Sequence, residues 1–147
     1  MSDQEIIQSL IAELRYLESI LEETTSRQGF ILKIIGEARA GLAASNEVCN
    51  SPIKSEVLIP LGGGLFLKAE APPTDKLFLG IGADVIIEKS KDDVTKFVEE
   101  RIKEMENTLM GLEAQRKEIS KKIVEKRESA NEIVSKQQRE ENSARET

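Results

Sequence analysis

Three features of this chain could carry chemistry: the triple glycine Gly62-Gly63-Gly64, the lone cysteine Cys49, and the many carboxylates and amines. A glycine run can cradle phosphate because its backbone N–H groups converge on an anion. That use needs a following helix whose N-terminus faces the phosphate, with Lys and Ser or Thr at fixed offsets. Here the glycines lead into Leu65-Phe66-Leu67, a strand-like run with no such lysine, so the run reads as a hairpin turn. A single cysteine cannot close an intrachain disulfide, and a chain without histidine lacks the usual zinc constellations. Cys49 falls where a helix ends and reads as a small boundary residue. No carboxylate pairing suited to acid–base catalysis is recognisable, so an enzyme is the least supported class. No catalytic, cofactor-binding or metal-binding residue is expected.

The residues that remain must build something else. In 147 residues with a third charged, there is no Trp, one Tyr (Tyr16) and four Phe. Large aromatics dominate the burial of ordinary cores, so their scarcity argues against a thick globular core. A narrow seam between helices needs only aliphatic side chains, which are abundant here. A net charge of −6 disfavours nucleic acid as a partner. No run approaches the roughly 20 apolar residues of a membrane span, so no membrane is expected. The start, Met1-Ser-Asp-Gln-Glu, has no signal-peptide character, and a cytoplasmic protein is expected.

Two long proline-free segments flank a central block. In the first, Ser2 and Glu5 fit a capping box, which starts a helix near Asp3. Seats spaced alternately by three and four then run through Ile7, Leu10, Leu14, Leu17, Leu21, Thr24, Gln28, Ile31, Ile35, Ala38, Leu42 and Ser45. All but Thr24, Gln28 and Ser45 are apolar, the pattern of a coiled coil. The polar seats read as register-setting or local weakening rather than a ligand site. Such a helix covers roughly 65 Å at about 1.5 Å per residue, more than a compact globule of this size, so it is expected to project. Gly29, Gly36 and Gly41 suggest close helix approach or controlled bending. The helix is expected to fray near Asn46, with a firm break at Ser51-Pro52.

The second segment opens at Ser90, with Asp93 placed for a second cap. Its seats are Val98, Ile102, Met105, Leu109, Leu112, Arg116, Ile119, Ile123, Lys126, Ala130, Ile133 and Gln137, apolar except at Arg116, Lys126 and Gln137. Arg116 and Lys126 either pair with glutamates on the opposite helix or snorkel outward. Beyond Gln138 the chain is almost wholly polar and is expected to be disordered. Two matched seams predict an antiparallel coiled coil with both chain ends at its far tip.

Between the helices lie four strand candidates, Ser55–Pro60, Leu65–Glu70, Leu77–Ile81 and Val85–Lys89. They are turned by Gly62-Gly63-Gly64 and Gly82-Ala83-Asp84 and linked by Pro72-Pro73-Thr74-Asp75. Pro60 requires an edge or strand-end position. The fold class is α+β. Its divisions are a helix over 1–49, a double hairpin over 50–89, a helix over 90–138 and a tail over 139–147. The strands are apolar on both faces, and two hairpins alone are marginal in water. Other subunits are therefore expected to complete the sheet through Val57, Ile59, Leu65, Leu67, Leu77, Leu79, Val85 and Ile87.

At the far tip the apolar residues exceed what a two-stranded seam needs. Ile6, Ile7, Leu10, Ile11, Ala130, Ile133 and Val134 form a candidate surface for exposed hydrophobic segments of another protein. Scattered surface aliphatics at a fraying end explain the same residues without any function.

The order of elements, together with Val57-Leu-Ile-Pro-Leu-Gly-Gly-Gly-Leu-Phe-Leu-Lys-Ala69 and Gly80-Ile-Gly-Ala-Asp-Val-Ile-Ile-Glu-Lys89, resembles prefoldin, and within it an archaeal-like α-type subunit. The resemblance covers nearly the whole chain up to the polar tail. It implies a heterohexamer of two α and four β subunits around a double β-barrel. It also implies an ATP-independent holdase whose coiled-coil tips capture non-native client proteins and deliver them to a group II chaperonin. Asp84 departs from the glycine that many relatives carry in that turn, which leaves a divergent paralogue open. The alternative class is a coiled-coil scaffold or adapter that assembles through the same β block and binds native partners.

Overall fold

The computed structural model describes residues 2–147, and Met1 lies outside the described residues. The elements are α1 (Asp3–Asn50), β1 (Ser55–Gly62), β2 (Leu65–Ala71), β3 (Lys76–Gly82), β4 (Val85–Ser90) and α2 (Lys91–Glu146). They form two compact units, one from Met1–Leu32 with Asn107–Thr147 and the other from Lys33–Glu106. Each helix contributes to both.

In the first unit the helices run antiparallel. Glu13 and Glu18 pair with Lys126 and Arg127, and Gln28, further along α1, pairs with Glu113, further back along α2. α1 begins with the expected capping box: the Ser2 N–H donates to Glu5 Oε2 at 3.1 Å, and the Glu5 N–H donates to Ser2 Oγ at 3.3 Å. Every expected seam seat here is buried or half-buried, with Thr24, Leu112 and Ile123 deepest.

The second unit holds the other ends of both helices and the four strands. Its seam is deepest at Ile35, Val94 and Ile102, so it starts one turn before the expected first seat at Val98. Lys91 ties the elements together: its N–H donates to the Asp75 carbonyl at 2.6 Å and its Nζ to Asn50 Oδ1 at 2.8 Å. The Asp93 N–H donates to Ser90 Oγ at 3.2 Å, which caps α2. The strands form two separate antiparallel hairpins, β1–β2 and β3–β4, each a two-stranded sheet. All strand bounds fall within two residues of those expected from the sequence. Pro60 sits opposite Phe66 on β1, where both strands of the pair are edges.

Three expectations are corrected. α2 continues to Glu146, so residues 139–147 are not a disordered tail. That stretch has few apolar residues, but its Arg and Glu residues and Ala144 favour helix and no Gly or Pro interrupts it. α1 reaches Asn50 rather than fraying near Asn46, because nothing breaks it before Ser51-Pro52. Gly29, Gly36 and Gly41 do not mark close approach: a Cβ built at any of them meets nothing within 4 Å.

Candidate functional site

The hairpins are two versions of one design. In the first, Gly63 (φ 59°) and Gly64 (φ 80°) occupy the left-handed region in succession, the signature of a type I′ turn matched to the strand twist. Pairing skips from Pro60↔Phe66 to Gly62↔Leu65, so Leu61 is left unpaired in a bulge beside Gly62 (φ 100°). In the second, Ala83 (φ 49°) and Asp84 (φ 60°) make the same turn. Pairing skips from Gly80↔Ile86 to Gly82↔Val85 and leaves Ile81 unpaired.

Charge is gathered at the strand ends away from the turns. Glu56 faces Glu70 across the first hairpin, and that repulsion is offset by Lys68–Glu56 at 2.9 Å and Lys54–Glu70 at 3.9 Å. Lys76 pairs with Glu88 at 3.7 Å in the second. Towards the turns the surface is apolar. Of the residues expected to serve assembly, Ile59 stands opposite Leu67 and Leu79 opposite Ile87. Val57, Leu77, Leu79 and Ile87 are half-buried, whereas Ile59, Leu65, Leu67 and Val85 are exposed.

The opposite faces were missed by that residue choice, and they are barer. Leu58 is 68% exposed and Phe78 72%, with Phe66 and Ile86 close behind. The signal was present in the sequence as strands apolar on both faces. The second hairpin also lies against the helices. Leu77 and Phe78 border a groove of about 460 Å³ with Ile34, Leu42, Val94 and Val98, and Ile81 shares a shallower one with Phe97.

In the first unit, the candidate client residues divide in two. Ile6, Ile7, Leu10, Ala130 and Ile133 are half-buried, while Ile11 (42%) and Val134 (40%) remain exposed. Asp3 and Gln4 share a polar groove with Gln137, Glu140 and Glu141, so the end of this unit carries a collar of acid and amide groups. Further along, Glu113 accepts three hydrogen bonds: Gln28 Nε2 at 2.9 Å, Arg116 Nε at 2.9 Å and Arg116 Nη2 at 2.7 Å. Those from Arg116, then Gln28, hold its carboxyl down at about 2, and the guanidinium is raised in turn. Arg116 therefore pairs within its own helix, whereas Lys126 reaches Glu13 on the other at 2.6 Å. Among the described residues there is no cluster of His, Cys, Asp or Glu suited to a metal ion, and no helix is long and apolar enough to cross a membrane.

Comparison with known proteins places relatives beside this geometry. Residues 17–137 match the family described as prefoldin subunit. Prefoldin subunit alpha of Nitrosopumilus maritimus is 25% identical over 131 residues, covering 89% of this chain and 90% of the relative. Prefoldin subunit alpha of Methanospirillum hungatei is 30% identical over 128 residues, covering 82% and 85% respectively. Among solved structures, filamentous PFD from Methanocaldococcus jannaschii superposes with a TM-score of 0.67 at 21% identity, over 78% of this chain and 94% of that one.

Proposed function

Because the chain belongs to the prefoldin subunit family, a family of chaperones, we propose that it acts as an α-type holdase subunit, without ATP and without catalysis. In this reading it joins β-type subunits, two α with four β, by docking strands onto its hairpins. It then captures non-native proteins at the end of its helical arm and passes them to a group II chaperonin in the cytoplasm.

The observation that carries the client assignment is the position of Ile11 and Val134. Both stay exposed beside seam seats that already satisfy the helix pair, so they offer apolar area the fold itself does not use. The hairpins support the assembly assignment, since ten large apolar side chains between Leu58 and Ile86 stand exposed there. Two-stranded sheets with such faces are not stable in water by themselves.

The test is suppression of aggregation of a chemically denatured client by the chain assembled with a β-type partner. Ile6→Asp, Ile11→Asp and Val134→Asp combined are expected to abolish suppression while the mass of the assembly is unchanged. Full suppression by that variant would remove the tip assignment. A second reading, an adapter for one folded protein, draws on Phe30, Leu32 and Met110, which face outward from the seam. A holdase binds several unrelated unfolded chains in competition, and an adapter does not.

A further inference from the structure

The seam of the first unit is interrupted by a polar layer. Thr24 is the one buried polar residue among those described, at 6% exposure, and Gln28 and Arg116 occupy the next seats along their helices. Glu113, beside the seam, gathers Gln28 from α1 and Arg116 from α2 into one carboxylate-centred network with donors at 2.7–2.9 Å. Leucines in these seats would bury more apolar area and lift the desolvation penalty, so the layer is a poor device for stability alone. Apolar seams, by contrast, tolerate slippage: one heptad of displacement puts Leu and Ile against Leu and Ile again. A hydrogen-bonded polar layer has a partner in one register only.

The flanking charges agree with this. Near the layer and beyond it towards the chain ends, α1 supplies Glu13 and Glu18, and α2 supplies Lys126 and Arg127, at 2.6 and 2.7 Å. Sliding either helix by a heptad separates both pairs and leaves Glu113 without Gln28. A parallel, in-register pairing of α1 with a second α1 would set Glu13 against Glu13 and Glu18 against Glu18.

We propose that Gln28, Glu113 and Arg116 form a register lock, positioning residues that hold α1 and α2 in a single antiparallel alignment. The lock fixes the level of Val134 on α2 relative to Ile11 on α1. It stands on the seam geometry and is tested without reference to client capture.

The experiment measures spin–spin distances in the full-length chain. Cys49→Ser removes the native thiol, so that labels sit only at Ser19→Cys and Glu128→Cys, both exposed positions of the first unit. The parent is expected to give one narrow distance distribution. Replacing the layer with Gln28→Leu, Glu113→Leu and Arg116→Leu is expected to leave the thermal midpoint unchanged or higher. It is also expected to add a second population displaced along the helix by one heptad, about 10 Å. The reversed pair Glu113→Arg with Arg116→Glu is expected to keep one narrow peak, because the glutamine amide can accept from arginine as well as donate to glutamate. One unaltered peak in the leucine variant would overturn the lock. A lowered midpoint with that same single peak would overturn it too, and would make the network a stabilising contact only.

Discussion

Asp84 takes the place in the second hairpin that Gly64 takes in the first, both in the left-handed region, at φ 60° and 80°. An L side chain there opposes its own backbone, and Ala83 before it (φ 49°) has no polar group to offset the strain. Ala83→Gly is therefore expected to stabilise the chain by about 1 kcal/mol, less the entropy that a glycine adds to the unfolded state. Urea unfolding followed by circular dichroism reads the sign.

The reverse substitution is expected to help within the helices. At Gly36 an added methyl meets nothing within 4 Å, and the backbone is helical. Gly36→Ala should raise stability by about 1 kcal/mol, and Gly29→Ala by a similar amount. A lower thermal midpoint in either variant would show that the methyl meets something in the assembled protein.

Leu112 and Leu32 give a contrast between seam and surface. Leu112 is among the deepest side chains of the first unit, whereas Leu32 faces outward. Leu112→Ala is expected to destabilise by about 2–4 kcal/mol and Leu32→Ala by less than about 0.5, as measured by denaturant midpoints at equal protein concentration.

Glu113 predicts a pH dependence. Its carboxyl is held at about 2 in the folded chain against an ordinary value of 4.5. A depressed carboxylate contributes stability that is fully present above its unfolded value and is lost as pH falls through the folded one. Glu113→Gln should therefore lower the melting temperature at neutral pH. The gap from the parent should close between pH 4.5 and 2, and a gap of constant size would remove the assignment.

Most of the helical fold was legible because a seam of period three and four has one solution. Every seat from Ile7 to Ser45 and from Val98 to Gln137 is buried or half-buried. The misreadings have local causes. Scarcity of apolar residues after Gln138 points to disorder, but Arg, Glu and Ala144 there support helix and no Gly or Pro breaks it. The sequence leaves Arg116 either pairing across the seam or snorkelling outward, but a glutamate three residues earlier on the same helix takes it. In the hairpins, strand alternation separates two faces but does not rank them. The assembly residues expected from the sequence therefore leave out Leu58, Phe66, Phe78 and Ile86, all of them widely exposed. Only the fold reveals that Leu77 and Phe78 also border the helices.

Each hairpin has only its own two strands, so the order of the β block is tied to mass action. If strands from other chains supply the missing cover, the free energy that keeps Leu58 and Phe66 out of water contains a logarithm of protein concentration. Heating a dilute sample should then melt the strands first and the helices later, with the lower transition rising on each tenfold increase in concentration and the upper one staying fixed. Circular dichroism over a dilution series would record both.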